Sequence, residues 1–553
     1  MARHLKKLLC FVLVVMMLVG CTPTSSPTTE PTEPDELALL EERLAQYAQL
    51  GTSPDDNYRT WYEIFVYSFC DSNGDGIGDL QGVISKLDYL EELGINGIWL
   101  MPIHPSNSYH KYDVNDYYGI DPQYGTMEDF DALMAECEKR DIHVILDLVV
   151  NHSGYNNTWF TQACEYIRGL DAGELGNVED CKYFGYYNFA TEAKTGYSKV
   201  SGSKNYYYEC QFSTAMPDLN WASEDMRQDV KAVMEFWLNK GVAGFRVDAA
   251  KEFYTGAVSK NVEVLNWLQQ TATSIKPDAY MVAEVWENSH VIISSYYESG
   301  FTSIFNYPFG NSDGKLVKVV NGRGNSSMVN SWATALQTAN KAYSENNPNY
   351  IDAPFLSNHD VGRIYGFVSG DELRIKMAAA MNIFMSGNVF IYYGEEIGMP
   401  GSGNDPSKRA PMYWNAERNN GTTNLPPECS LPDVGYPMGS LVEQQQNASS
   451  VYNYYREAIA IRNALPVISH GAITAETALN VGCVSAMRKT WNDQECIILM
   501  NIDDDTAGAK VDLSAYADWK LVATLSANGE SVAMDGTTLN MPAYGVAVLV
   551  PSK

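Results

Sequence analysis

The chain is 553 residues long, 45% hydrophobic, with a formal charge of −30, enough to bury one large core and still carry one or two further domains. So acidic a surface repels nucleic acid and anionic membranes and suits a neutral substrate. The 12% aromatic content, with 36 Tyr and 11 Trp, supplies flat faces for sugar rings, although most such residues in a large protein serve packing.

Arg3, Lys6 and Lys7 precede an apolar run at 8–20, too short to span a bilayer and built like a secretory signal. It ends in L-V-G-C at 18–21, which resembles a bacterial lipobox. That resemblance makes Cys21 a lipidated first mature residue and the protein an exported, membrane-anchored lipoprotein at the bacterial cell surface; the alternative is an ordinary signal peptide cleaved nearby. Loss of the leader takes the formal charge from −30 to −33. Residues 22–36 form a Pro/Thr/Ser/Glu tether too polar to fold. Eight cysteines follow Cys21 without the regular spacing of a stapled scaffold or a zinc-type pair. Cys483 and Cys496 flank a turn at 490–493, which leaves a cross-hairpin disulfide open.

Residues 37–50 have helical spacing, and residues 61–69 read as a first buried strand. D-S-N-G-D-G-I-G-D follows at 71–79. Asp71, Asn73, Asp75, the carbonyl of Ile77 and Asp79 set oxygens at alternating positions around glycines, as a calcium loop needs; a solvated acidic turn is the competing reading. Residues 95–101 and 142–150 read as the second and third strands, with an amphipathic helix at 126–140 between them. The interval 153–215, rich in Tyr, Gly and Asn, is too long for a simple loop. A helix at 225–240 leads to strand-like runs at 242–247, 279–282, 302–307, 353–356 and 389–393, completing eight in a β/α alternation. From about residue 471 the pattern becomes alternating strands with N-G and D-G turns, as in a small β-sandwich.

Three of these runs end in acids: G-F-R-V-D at 244–248, A-E-V-W at 283–286 and S-N-H-D at 357–360. Strand-end carboxylates converge on the catalytic rim of a parallel barrel. Taken singly, Asp248, Glu284 or Asp360 reads as a surface or capping residue; as a set they do not. D-L-V-V-N-H at 147–152 ends a fourth run in the same way. With Arg246 and His359, these four motifs in this order resemble the signature of the α-amylase family of glycoside hydrolases, over nearly the whole mature chain.

The resemblance implies an α/β fold: a (β/α)8 TIM barrel with a small domain inserted after strand 3 and a C-terminal antiparallel β-sandwich. The expected divisions are a leader at 1–20, tether and helix at 21–50, barrel at 51–152 and 216–468, insert at 153–215 and sandwich at 469–553. It also implies Asp248 as nucleophile, Glu284 as general acid and then base, and Asp360 as the acid gripping the distorted sugar. Arg246, on the same strand face as Asp248, is expected to hold it ionised, with Asp147 supporting Arg246 and Asn151 orienting the loop or binding metal. Negative neighbours are expected to raise the pKa of Glu284. His152 and His359 are expected as neutral donors around the ring, and Lys251 on the leaving-group side, although Glu252 stands where the family's usual His follows it.

S-Y-H-K-Y-D at 108–113 resembles the segment whose Tyr stacks on the sugar and whose His donates to it, here Tyr112 and His110. Exo-acting α-glucosidases of the family usually have Asp three residues before that Tyr; Tyr109 stands there instead, which favours an open cleft. M-P-D-L-N at 216–220 is similar to the group intermediate between oligo-1,6-glucosidases and neopullulanases. The implied activity is extracellular retaining endo-hydrolysis of α-1,4-glucosidic bonds in starch and maltooligosaccharides, by a monomer holding Ca2+ in the 71–79 loop. Alternatives are a neopullulanase or cyclomaltodextrinase, an oligo-1,6-glucosidase, a 4-α-glucanotransferase, or a non-catalytic glycan-binding lipoprotein, which has no need of a nucleophile and acid pair.

Overall fold

The computed structural model describes residues 35–431 and 436–552; the leader, Cys21 and the tether up to residue 34 lie outside the described residues. Among the described residues no helix is long and apolar enough to cross a membrane.

Seven parallel strands form one curled sheet: Thr60–Ile64, Gly97–Leu100, His143–Leu148, Gly244–Val247, Tyr280–Ala283, Ser303–Ile304 and Val389–Tyr392. The last pairs with the first, Thr60 opposite Val389. The remaining gap is bridged by residues 353–355, through parallel bridges of Ala353 to Phe305 and Phe355 to Phe390, so the ring closes as an eight-part barrel. Its strands are buried on both faces because helices cover the outside and side chains fill the inside. The filling includes Trp61, Trp99, Tyr280, Phe305 and Phe390.

The strand expected at 61–69 stops at Ile64, and Val66–Phe69 is a helical turn buried throughout; an apolar run alone does not separate a buried strand from a buried helical turn. The helices expected at 126–140 and 225–240 form as Met127–Glu138, with a Thr126/Asp129 capping box, and Glu224–Asn239, capped by Ser223. At Gly244 a β-carbon would lie 1.7 Å from the Tyr280 carbonyl oxygen, so only glycine allows the fourth and fifth barrel strands to approach there.

Between the third and fourth barrel strands lie a helix, Thr158–Gly169, and a three-stranded antiparallel sheet of Phe189–Ala190, Tyr207–Glu209 and Tyr197–Lys199. Backbone hydrogen bonds from Ser153 N to Pro217 O (3.0 Å) and Leu219 N to Asn151 O (2.9 Å) sew the base of this segment to the barrel rim. Beyond residue 471, five-stranded and three-stranded antiparallel sheets bury Val484, Ile497, Leu499, Val511, Leu539 and Leu549 in one core. Hairpin register sets Cys496 opposite Lys489, while Cys483 precedes the strand and bonds Ile502. Both thiols are free; the possible Cys483–Cys496 bridge is not formed because the register separates them. The N-terminal helix, Glu36–Tyr47, docks on the Val451–Ala464 helix through Arg43 to Glu457 (2.7 Å) and Arg456 to Glu41 (2.5 Å).

Candidate active site

Asp248 and Glu284 each follow directly on a barrel strand, and Asp360 stands five residues beyond the bridging segment at 353–355. A cleft of about 720 Å3 opens over them, and His110, Tyr112, His152 and Lys251 line it too. Arg246 lies beneath, fully buried. Its Nη1 sits 2.7 Å from Asp147 Oδ1 and 2.5 Å from Asp248 Oδ1, and its Nη2 2.9 Å from Glu284 Oε2. One guanidinium thus ties three acids together, two of them facing the cleft. Ala249, in a left-handed conformation with φ 46°, turns its N–H onto Glu284 Oε2 at 2.8 Å; strain of this kind persists where surrounding structure over-determines it.

The environments of the acids diverge. Burial pushes Glu284 up to about 7, the charges of Asp248 and Asp360 add to the rise, and Arg246 opposes it. Asp360 goes the other way: burial alone would raise it, but His359 at 2.9 Å and Arg409 at 3.0 Å hold it well below the usual carboxylate range. Asp147 is raised to about 6 by burial, against the pull of Arg246. Carboxylates driven apart in this way can divide proton donation from charge stabilisation.

The expectation of a neutral His359 is corrected. Its Nδ1 contacts Glu63 at 2.5 Å and its Nε2 faces Asp360. Tyr112 gives its single hydroxyl proton to Asp147 (3.0 Å) and so accepts from His359 Nε2 (2.7 Å). Both ring nitrogens therefore carry protons. Burial disfavours that charge, but Asp360 and Glu63 outweigh it and raise the pKa to about 9. His152 is lowered by burial, and its Nε2 donates to the Tyr112 carbonyl at 3.2 Å. His110 falls to about 4, through burial and then Arg409. Because the Tyr112 N–H donates to His110 Nδ1 at 3.1 Å, the ring proton sits on Nε2. Lys251 reaches the Trp286 carbonyl at 3.1 Å and Glu287 at 3.4 Å.

Two functional neighbours carry no motif. Glu63, buried within the first barrel strand, reads in sequence only as part of an apolar run. Arg409 lies 49 residues beyond Asp360; it also donates to the Tyr109 hydroxyl at 3.2 Å. Asp405, Lys408 and Arg409 line the same cleft, as do Phe212 and Trp286, both about half-exposed.

The loop at 71–79 carries three carboxylates, Asp71, Asp75 and Asp79. Asp71 accepts backbone N–H bonds from Asn73, Gly74 and Gly76, Asn73 accepts from Asp75, and Asp75 accepts from Ile77. Gly74 and Gly76 have φ of 86° and 91°. Asp79 also caps the next helix through Gly82 N. Among the described residues no ion pair neutralises Asp71, Asp75 or Asp79, a charge excess that fits a hard divalent ion. A separate grouping of Asp55, Asp141 and His143 lies within ligand distance, but Arg59 reaches all three and supplies the countercharge.

A parallel barrel whose rim sets a protonatable Glu284 and Asp248 on one arginine, with an ionised Asp360 facing the same cleft, has the equipment of a two-carboxylate glycoside hydrolase. Residues 63–471 match the family model described as alpha amylase, catalytic domain, and the chain belongs to the α-amylase family of glycoside hydrolases, enzymes acting on α-glucans. It is similar to "Alpha-amylase 3" of Dictyoglomus thermophilum, at 38% identity over 420 residues, 75% of this chain and 78% of the relative. An oligo-1,6-glucosidase of Bacillus cereus is 29% identical over 80% of this chain and 89% of its own. The solved structure of Eubacterium rectale Amy13B matches with a TM-score of 0.87 and 42% identity, covering 92% of this chain and 98% of that one.

Proposed function

We propose that the protein hydrolyses internal α-1,4-glucosidic bonds of starch and maltooligosaccharides with retention of configuration. The observation that carries this reading is the single Arg246 guanidinium spanning Asp248 and Glu284. In the first step Asp248 attacks the anomeric carbon while Glu284 gives its proton to the leaving glycosidic oxygen, forming a β-glucosyl ester. In the second, Glu284 takes a proton from water, which displaces Asp248 and restores the α-configuration. Asp360, with His359 and Arg409 against it, takes hydrogen bonds from the sugar hydroxyls as positive charge develops. Tyr112 offers its face to the ring and His110 its Nε2–H.

Endo action is argued from Tyr109, which leaves no carboxylate at the position where an exo-enzyme would grip a chain end. Arg409 favours a second reading. Held between Asp360 and Tyr109, it adds a charged donor at the end of the helical turn Asp405–Lys408 bordering the cleft, which would suit an exo-glucosidase or a 1,6-specific enzyme. A maltooligosaccharide blocked at its non-reducing end separates the two. Endo action predicts cleavage at close to the unblocked rate; resistance of the blocked substrate, with glucose alone released from the free one, establishes the second reading.

Calcium in the 71–79 loop, held by Asp71, Asn73, Asp75, the Ile77 carbonyl and Asp79, would supply structural order and no chemistry. For its setting we propose a monomer anchored through a lipid on Cys21 to a bacterial cell surface, with an α-glucan as its partner and no nucleic acid, on the strength of the lipobox-like tetrad and the acidic charge.

A further inference from the structure

His110 and Tyr112 reach the cleft from either side of a residue that does not line it. Lys111 has φ 65°, a left-handed conformation that a lysine pays for and a glycine does not. Its side chain runs inward and is 2% exposed. There Nζ meets Asp121 Oδ2 at 2.8 Å and Gln123 Oε1 at 2.6 Å, 5.4 Å from the centre of the Tyr124 ring. Asp121 is itself 3% exposed and accepts a further bond from Ser106 N at 3.2 Å. A buried ammonium paired and hydrogen-bonded on this scale fixes its own backbone, because leaving the pocket strands both charges.

The left-handed turn has a chemical consequence at the cleft wall. It folds the Tyr112 N–H back onto His110 Nδ1 (3.1 Å), while the Lys111 N–H is held by Ser108 Oγ (3.2 Å). Ser108 Oγ lies 3.0 Å from the same nitrogen, but a backbone N–H can only donate, so the Tyr112 bond commits His110 Nδ1 as an acceptor. The proton is left on Nε2, free to point outward. The same turn seats the Tyr112 ring on His359, centroids 5.4 Å apart and planes 17° apart, with its hydroxyl on Asp147.

We propose that Lys111 is a positioning residue of the active site: its buried bond to Asp121 holds the left-handed turn that sets the His110 tautomer and the seat of Tyr112. The inference rests on reading His110 and Tyr112 as sugar-binding groups. It explains why a residue type that avoids this conformation occupies it. The turn is maintained by the clamp and not by the local preference of the chain.

The test uses two double variants of the full chain, Lys111→Met with Asp121→Asn and Lys111→Gly with Asp121→Asn, so that neither leaves a buried charge unpaired. The methionine variant lacks the clamp but keeps the β-carbon that resists the turn, and kcat/KM on a maltooligosaccharide is expected to fall about 10- to 100-fold, the cost of a small misplacement. The glycine variant also lacks the clamp but adopts the turn freely, and is expected to recover to within about threefold of the parent. Nitrogen-15 spectra of the His110 ring report the tautomer directly: Nε2–H in the parent and glycine variant, a mixture in the methionine variant. Equal activity in the two variants, whether both high or both low, overturns the proposal. So does loss of folding in the methionine variant alone, which assigns Lys111 to stability. Asp248→Ala, assayed alongside, keeps the two readings apart: activity in that variant sinks the site assignment itself, whatever the clamp variants do.

Discussion

At the residue scale the site works by separating acids that are chemically alike. As the proposed proton donor, Glu284 is active in its protonated form. Burial raises its pKa to about 7, so the proton is kept up to neutrality and lost above it. The kcat/KM for a maltooligosaccharide is therefore expected to fall about tenfold per unit as pH rises beyond 7. Glu284→Gln should remove about 10²–10⁴ of the rate on a natural glucan with the fold unchanged; a profile flat to pH 9, or a Gln variant near parental activity, would contradict the role. The sequence made the three acids and Arg246 legible because each is bound to a strand-end motif. Arg409 and Glu63 were not legible. Their partners Asp360 and His359 lie 49 and 296 residues away, and only closure of the barrel brings them together. The charge on His359 depends on both its neighbour Asp360 and the distant Glu63, and only the first of these is visible in the sequence.

At the element scale, barrel strands rich in β-branched and aromatic residues could be read from their apolar runs, while their ends could not. The sixth and seventh were expected as 302–307 and 353–356; they shorten to Ser303–Ile304 and a pair of isolated bridges. Asn306 still gives its backbone N–H to Ala353 O at 3.0 Å, and its side chain bonds Asp352 at 2.9 Å, a tertiary contact with no local signature. The 71–79 loop has the opposite character, since its alternating oxygens stand out in the sequence by themselves. If it holds calcium, chelation should destabilise the protein by about 3 kcal/mol relative to a calcium level a hundredfold above Kd, seen as a lower unfolding temperature. Asp71→Ala should abolish that chelator response. An unfolding temperature indifferent to chelator in the parent protein would leave the loop as a solvated acidic turn.

At the scale of the whole molecule, the proposed chemistry sits on the barrel, the segment at 153–215 and the helical turn Asp405–Lys408 flank the cleft, and the C-terminal sheets pack against barrel helices through Ser326–Asn346. The central claim joins these parts: an α-glucan laid in the cleft is cleaved by two displacements at one carbon, with Asp248 bonded to it in between. Two inversions leave the configuration unchanged, whereas a single attack by water inverts it. The most direct measurement is a proton spectrum of the products in the first minutes of maltooligosaccharide hydrolysis, before mutarotation mixes the anomers. The account predicts the α-anomer at the newly formed reducing end; the β-anomer appearing first would contradict it.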